Sequence, residues 1–349
     1  MKRRKDGRFL KVVSINGQKV YFYSSEKTEK QAEKDIQRQM VLYNQKQVEI
    51  ENMPFKKVAD EWDTGYRLSV PDITYRKGIK AQYERVLDFF CDFNIRDITA
   101  HDIDVFLRSL HYGYKTVASH RCILNMIYDY AVLHQYTDQN PVKVVKVPKG
   151  LTRNKRELPL TKELKVISEH YSDFELLPFF LLYTGCRKSE ALAIRREDID
   201  FKNKVIKIRN HVIHDGNRPI YEPVLKSEAA YRDIILLDRL ADVIPRKFSG
   251  FLFSMEGDGK RPLSKGAFDK RWEKYCKQYN LNITAHQLRH GYATMLFEAE
   301  IDVKDTQILM GHSDINLTRA IYTHIRDTRT KGGSPSFCVN LKFGSKMII

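Results

Sequence analysis

Cysteine is sparse in this 349-residue sequence, and nothing suggests that it is paired. Cys91, Cys122, Cys186, Cys276 and Cys338 are scattered, odd in number and form no C-x-x-C pair. That argues against a disulfide framework and a zinc ribbon and suits a reducing cytosol. No stretch approaches the roughly 18 uncharged apolar residues of a membrane span. The start, Met1-Lys2-Arg3-Arg4-Lys5, is basic, but no apolar segment follows it, so no secretory signal is expected. Gly and Pro, at 17 and 11 positions, are at ordinary globular levels, and repeats and low-complexity tracts are absent. The meaningful deficit is in acids: Asp and Glu number 44 against 60 Lys and Arg, a net charge of +16. A field of that sign favours a polyanionic partner, most often nucleic acid.

What is present is a globular chain, 42% apolar and 30% charged, long enough for two or three domains. Residues 1–50 read as a small basic module. Arg8 to Val13 and Lys19 to Tyr23 alternate as strands about an Asn16-Gly17 turn. Thr28 and Gln31 then cap a helix carrying Ala32, Ile36, Met40 and Tyr43. Lys2, Arg3, Arg4, Lys5, Arg8, Lys11 and Lys19 make this sheet a candidate DNA-groove binder.

Residues 54–145 read as a helical bundle. Its stripes are Phe55/Val58/Ala59/Trp62, Ile79/Tyr83/Val86/Leu87/Phe90, Ile103/Phe106/Leu107/Leu110 and Ile123/Leu124/Ile127/Tyr128/Ala131. Residues 146–156, with Lys149, Arg153, Lys155 and Arg156, have the composition of an extended basic linker. Residues 157–326 are mixed. Strands are expected at Val205–Ile208 and Tyr231–Leu237, with a turn at His214-Asp215-Gly216-Asn217.

Four local signals lie in this last region. Gly185 ends an apolar helix and leaves Arg187 at a break between two helices. Thr284 and Gln287 form a capping box that puts His286 and Arg289 on one face of a helix's first turns, where phosphate oxygens are attracted. Gly311 stops a helix built on Val303, Ile308 and Leu309, so His312 projects from a tight turn. Asn316 to His324 reads as a helix with Leu317, Ile321 and Ile325 inward and Tyr322 one position past that stripe.

In their order these signals resemble the tyrosine recombinases, or phage-type integrases. Gly185-x-Arg187-x-Ser189-Glu190 is similar to the family's first arginine box, His286-Gln287-Leu288-Arg289-His290 to its second, and Met310-Gly311-His312 through Tyr322-x-His324 to its nucleophile box. The resemblance implies a multidomain fold: a small N-terminal sheet plus helix as arm-type DNA-binding module, a helical core-binding domain and a mixed α+β catalytic domain. Two positions depart from the pattern. Lys226 stands where the family has its hairpin lysine, but Ala230 replaces the usual serine before Arg232. Glu300 stands where a helix-terminal glycine is common.

The implied reaction is transesterification. Tyr322 attacks a DNA phosphodiester, a 3′-phosphotyrosine forms, and a 5′-hydroxyl leaves. Arg187, Arg289 and His312 would neutralise charge that gathers on the phosphate. His286 would take the phenol proton and Lys226 would protonate the leaving oxygen. Glu190, His290 and His324 would orient or pack against that set. No cofactor, metal or ATP is expected. The expected partners are double-stranded DNA at core and arm sites, further copies in a tetramer, and an excisionase or DNA-bending protein. The expected setting is the bacterial cytoplasm, at the nucleoid. A type IB topoisomerase-like relaxation enzyme and a non-catalytic DNA-binding regulator are the alternatives. In the tail, 327–349, Phe337, Val339, Leu341 and Phe343 alternate, which predicts a strand that docks on a neighbouring subunit or on its own sheet.

Overall fold

The computed structural model describes residues 1–15, 18–153, 158–225 and 227–330, and it divides into compact units Met1–Asn154 and Lys155–Ile349. The Asn16-Gly17 turn, Lys155, Arg156, Lys226 and the terminal strand expectation lie outside the described residues.

In the first unit, β1 (Lys2–Arg3), β2 (Phe9–Ile15) and β3 (Gln18–Ser24) form an antiparallel sheet in that order. Ile15 pairs with Gln18, which fixes a two-residue connection. Phe9 and Phe22 point into the unit, under α1 (Glu29–Glu51), whose Ala32 and Ile36 are buried. The Thr28 hydroxyl accepts from the Gln31 N–H, as the capping box requires. The other face leaves Val12, Tyr21 and Tyr23 exposed, and the guanidiniums of Arg4 and Arg8 lie 5.4 and 5.3 Å from the Tyr23 ring.

Five helices follow: α2 (Phe55–Ser69), α3 (Asp72–Gly78), α4 (Lys80–Phe90), α5 (Ala100–Ser109) and α6 (Tyr114–Leu133). Of these, α3 had no stripe of its own in the sequence. Pro71 separates α2 from α3, since a residue before proline is driven to extended backbone, as Val70 is. The four predicted stripes converge on one core, in which Phe55, Phe90, Phe106 and Tyr128 are essentially sealed. Burying each such side chain stabilises by roughly 1.5–3 kcal/mol. The stretch expected as an extended basic linker begins packed on this core. Val147 and Leu151 pack on it, and the Tyr114 N–H donates to the Thr152 carbonyl.

The second unit opens with α7 (Thr161–Glu169), α8 (Leu176–Thr184) and α9 (Lys188–Ala191). Then come β4 (Ile199–Asp200), β5 (Val205–Ile208), β6 (His211–Asp215), β7 (Arg218–Glu222) and β8 (Arg232–Ile235). It closes with α10 (Asp238–Val243), α11 (Lys265–Tyr279), α12 (Ala285–Glu298), α13 (Val303–Met310) and α14 (Ile315–Thr330). Strands β4, β5 and β8 make one antiparallel sheet, and β6 pairs with β7 in a separate hairpin. That hairpin corrects the expected four-residue turn. His214 and Asp215 belong to β6, and only Gly216 and Asn217 turn, with Gly216 at φ +57°. His214 pairs with Pro219 in this ladder, and its Nε2 lies 2.9 Å from the Leu263 carbonyl. Helix α8 is buried along its whole length and packs on α12.

Two positions expected to face inward on α13 and α14 do not. Ile308 and Leu317 are 57% and 52% exposed, while Thr306, Met310, Thr318 and Tyr322 are buried; Ile325 is buried as expected, and Leu309 and Ile321 pack partly buried on the core. Two of the inward residues are threonines whose hydroxyls have buried partners, so apolar residues alone do not mark the whole inward face.

Candidate active site

Gly185 closes α8 in the left-handed conformation at φ +61°, and a Cβ there would lie 2.2 Å from the Tyr292 ring. The tight exit delivers Arg187 as the residue preceding α9. Its backbone N–H and its Nη1 both donate to Glu190, at 2.8 and 2.7 Å. Arg187 Nη2 reaches the Gly311 carbonyl at 3.2 Å. The side chain remains 41% exposed, so the guanidinium is oriented from behind and open in front.

The expected box Thr284/Gln287 caps α12, with Thr284 accepting from the Gln287 N–H. It places His286 on the exposed surface and Arg289 inside. His286 stands edge-to-face with His290, ring centres 5.1 Å apart. Arg289 is only 3% exposed and donates to the carbonyls of Gly185, at 2.8 Å, and Met310. Burial, and then the charge of Arg187, lower its pKa to about 9, which leaves it protonated near neutrality.

Gly311 ends α13 at φ +62°. The turn is pinned by Gln307, whose carbonyl accepts from the His312 N–H and whose side-chain amide donates to the His312 carbonyl. His312 is buried, with Nδ1 2.9 Å from the Thr318 hydroxyl. Burial, joined by the charges of Arg289, Arg187 and Arg232, lowers its pKa to about 3, so the ring is neutral at ordinary pH.

A further arginine, Arg232, is buried beneath this cluster. It donates to Glu190 Oε2 at 2.8 Å, to the Leu309 carbonyl at 2.9 Å and to the Ala230 carbonyl at 3.1 Å. The carbonyls of Leu309, Met310 and Gly311 thus accept from three different arginines, Arg232, Arg289 and Arg187. Cations satisfy the open, negative end of α13. Burial alone would raise the Glu190 pKa, but the charge and hydrogen bond of Arg232, then the charges of Arg187 and Arg289, bring it down to about 2.

Arg187, His286, Arg289, His290 and His312 line one cavity of about 380 Å³, with Leu158, Met310, Leu317, Ala320 and Ile321. Tyr322 lies on the next face of α14. Its ring packs edge-to-face on Phe297 at 4.9 Å. Its phenol oxygen is 2.6 Å from the Thr306 hydroxyl and 3.0 Å from the Ile301 carbonyl, away from the cavity lining. Burial raises its pKa, although the Thr306 bond opposes this.

The structure therefore brings together Arg187, His286, Arg289 and His312, with Glu190 behind Arg187. It holds Tyr322 one helix face away, while Lys226 and the side chain of His324 lie outside the described residues. Of the basic residues singled out in the first unit, Lys2, Arg3, Arg4, Lys5, Arg8, Lys19, Lys149 and Arg153 are exposed and Lys11 is half-buried. Thr306 was missed, and Arg232 and Thr318 were recognised only as parts of motifs and given no role. For Arg232 a signal existed: it shares strand parity with the buried Ile234, and an arginine on a buried face implies a partner.

The phage integrase family model matches residues 162–329. The prophage ps2 probable integrase of Lactococcus lactis subsp. lactis (strain IL1403) is 26% identical over 313 residues, covering 79% of this chain and 80% of that protein. A structure of the Tn1549 transposon integrase in complex with transposon right end DNA aligns with a TM-score of 0.67 at 20% identity, covering 80% of this chain and 100% of that one. A lambda integrase tetramer bound to a Holliday junction aligns with a TM-score of 0.58 at 17% identity, covering 90% and 95%. The two arginine boxes, the Gly311 turn and Tyr322 all lie inside the matched segment, and over that segment the chain is similar to the phage integrases.

Proposed function

We propose that this chain is a site-specific DNA recombinase of a mobile element, an integrase that cuts and rejoins double-stranded DNA through a 3′-phosphotyrosine. The observation that carries the reading is the convergence of Arg187, His286, Arg289 and His312 on one cavity bordered by the helix that bears Tyr322. Such a cavity binds one phosphodiester. Arg187 offers its open guanidinium and Arg289 a desolvated one. His312 is neutral, and in the tautomer in which Nδ1 accepts a hydrogen bond from the Thr318 hydroxyl, 2.9 Å away, its Nε2–H remains a donor. These donors stabilise the charge that gathers on the five-coordinate phosphorus.

In the first step the Tyr322 oxygen bonds to phosphorus and the bond to the 5′-oxygen breaks. The phenol proton passes to His286, and Lys226 protonates the departing oxygen. A 5′-hydroxyl of the partner strand then reverses the step, so the bond energy is retained and neither ATP nor a metal is consumed. Tyr322 must first leave Thr306 and Ile301. A turn of α14 by about 100° carries residue 322 to the position of its neighbour Ile321, which faces the cavity. Delivery to a neighbouring subunit of a tetramer is the other route.

In this reading residues 1–50 are an arm-site module, 54–145 a core-site module, 146–156 the connector and 157–326 the catalytic domain. Two DNA-binding modules on one chain can hold two sequences at once. The exposed Tyr21, Tyr23, Arg4 and Arg8 give the first module a basic and aromatic face, and the +16 charge fits DNA throughout. The DNA complexes of the Tn1549 and lambda integrases support DNA as partner, and the lambda tetramer supports four copies acting together. An excisionase or DNA-bending protein would set direction, and the work would take place in the cytoplasm at the nucleoid. Among the described residues no helix is long and apolar enough to cross a membrane.

The test is incubation of the full chain, in excess EDTA, with nicked DNA spanning the two ends of its element. A covalent protein–DNA adduct is expected. No adduct on any such DNA, or one that needs a divalent metal, overturns the proposal. Relaxation of a plasmid lacking those ends would move the function to a topoisomerase.

A further inference from the structure

We propose that Arg232 is a positioning residue for strand cleavage: it sets the direction of Arg187 through Glu190 while fixing the turn that carries His312. The inference rests on the recombinase reading above and adds a residue to its machinery.

Arg232 does not line the cavity, and its side chain is 2% exposed, so it touches no substrate. Its donors instead reach three separate segments. Nη2 holds Glu190 Oε2, Nε holds the Leu309 carbonyl at the end of α13, and Nη1 holds the Ala230 carbonyl beside its own strand. Glu190 lies between two guanidiniums, giving Oε1 to Arg187 and Oε2 to both Arg232 and the Arg187 backbone N–H. The carboxylate can hold Arg187 in one direction only while its own position is fixed, and Arg232 is the charged group that fixes it from below.

The same guanidinium packs under Gly311. A Cβ on Gly311 would lie 2.9 Å from Arg232 Nη1 and 3.1 Å from Arg232 Cδ. Glycine at 311 therefore serves the left-handed turn and the fit of Arg232 together. Lysine is not equivalent here, because one ammonium cannot span an acid and two carbonyls on three segments.

The experiment is a double-mutant cycle on single-turnover adduct formation with saturating full-length protein, using R232K, R187A and R187A/R232K. Thermal melting and DNA affinity are measured alongside. R232K should fall about 10–100-fold, the range for groups that orient a ligating side chain. Affinity should stay within about twofold, because the shape and charge of the DNA-facing surface are kept. The double variant should be no slower than R187A, since residues acting as a unit are not additive. A wild-type rate in R232K overturns the proposal, as does a double variant slowed by the full product of the single effects. R232Q, which can still donate to one partner, repeats the cycle if R232K melts below the assay temperature. Failure of both to fold overturns it as well, assigning Arg232 to the scaffold alone. No adduct from the wild type would instead sink the recombinase reading.

Discussion

The hydroxyl of Thr306 lies 2.6 Å from the phenol oxygen of Tyr322, and both are buried. The nucleophile is thus stored on α13, the helix whose terminal carbonyls are held by arginines. Removing the storage bond should release it. In Thr306→Val the shape is kept and one hydrogen bond, worth about 1 kcal/mol net, is lost. Melting temperature should drop slightly, and adduct formation should rise about fivefold, the rate equivalent of that energy. Slower adduct formation would make Thr306 part of the productive geometry instead.

Glu300 takes φ +58° just after α12, the conformation in which a glycine is comfortable and a side chain costs roughly 1–2 kcal/mol. The substitution Glu300→Gly should therefore raise the melting temperature by about 2–4 °C, less what greater freedom of the unfolded chain takes back. A lower melting temperature would mean that the glutamate side chain makes good the strain.

Arg187 and Arg289 each present a forked donor pair, which lysine lacks. In R187K and R289K adduct formation should fall by ~10²–10³-fold, as when one donor to a developing charge is removed. DNA affinity should change little. An affinity loss equal to the rate loss would show that they hold DNA in the ground state.

The pH dependence of stability has a definite sign. His312 has a folded pKa of about 3 against an ordinary 6.5, lowered first by burial and then by Arg289, Arg187 and Arg232. The unfolded chain takes up the proton first, so this contribution is complete above pH ~6.5 and is lost as pH falls from there towards 3. Glu190, with about 2 against 4.5, adds the same sign only below pH ~4.5. Between pH 6.5 and 5 the melting temperature of the wild type should therefore fall faster than that of His312→Gln. Parallel curves would mean that His312 is not buried as described.

Legibility in the sequence followed how local the cause was. The capping box at Thr284, the left-handed glycines 185 and 311 and the hairpin strands in the first unit all rest on chemistry within a few residues, and each appears where expected. On α13 and α14 the expected stripe was right at Ile325 and, in part, at Leu309 and Ile321, but wrong at Ile308 and Leu317, because Thr306 and Thr318 are buried by hydrogen-bond partners that hydropathy cannot register. The storage of Tyr322 and the role of Arg232 depend on contacts spanning 16 and 77 residues, and no spacing rule encodes those.

The central claim is that the Tyr322 oxygen becomes the link to DNA, despite its present bond to Thr306. The most direct measurement is peptide mapping by mass spectrometry of the adduct trapped on nicked DNA. The account predicts that the nucleotide is carried by the peptide containing Tyr322, at the phenol, and that Tyr322→Phe binds the DNA without forming an adduct. An adduct on any other residue, or one that survives Tyr322→Phe, would contradict it.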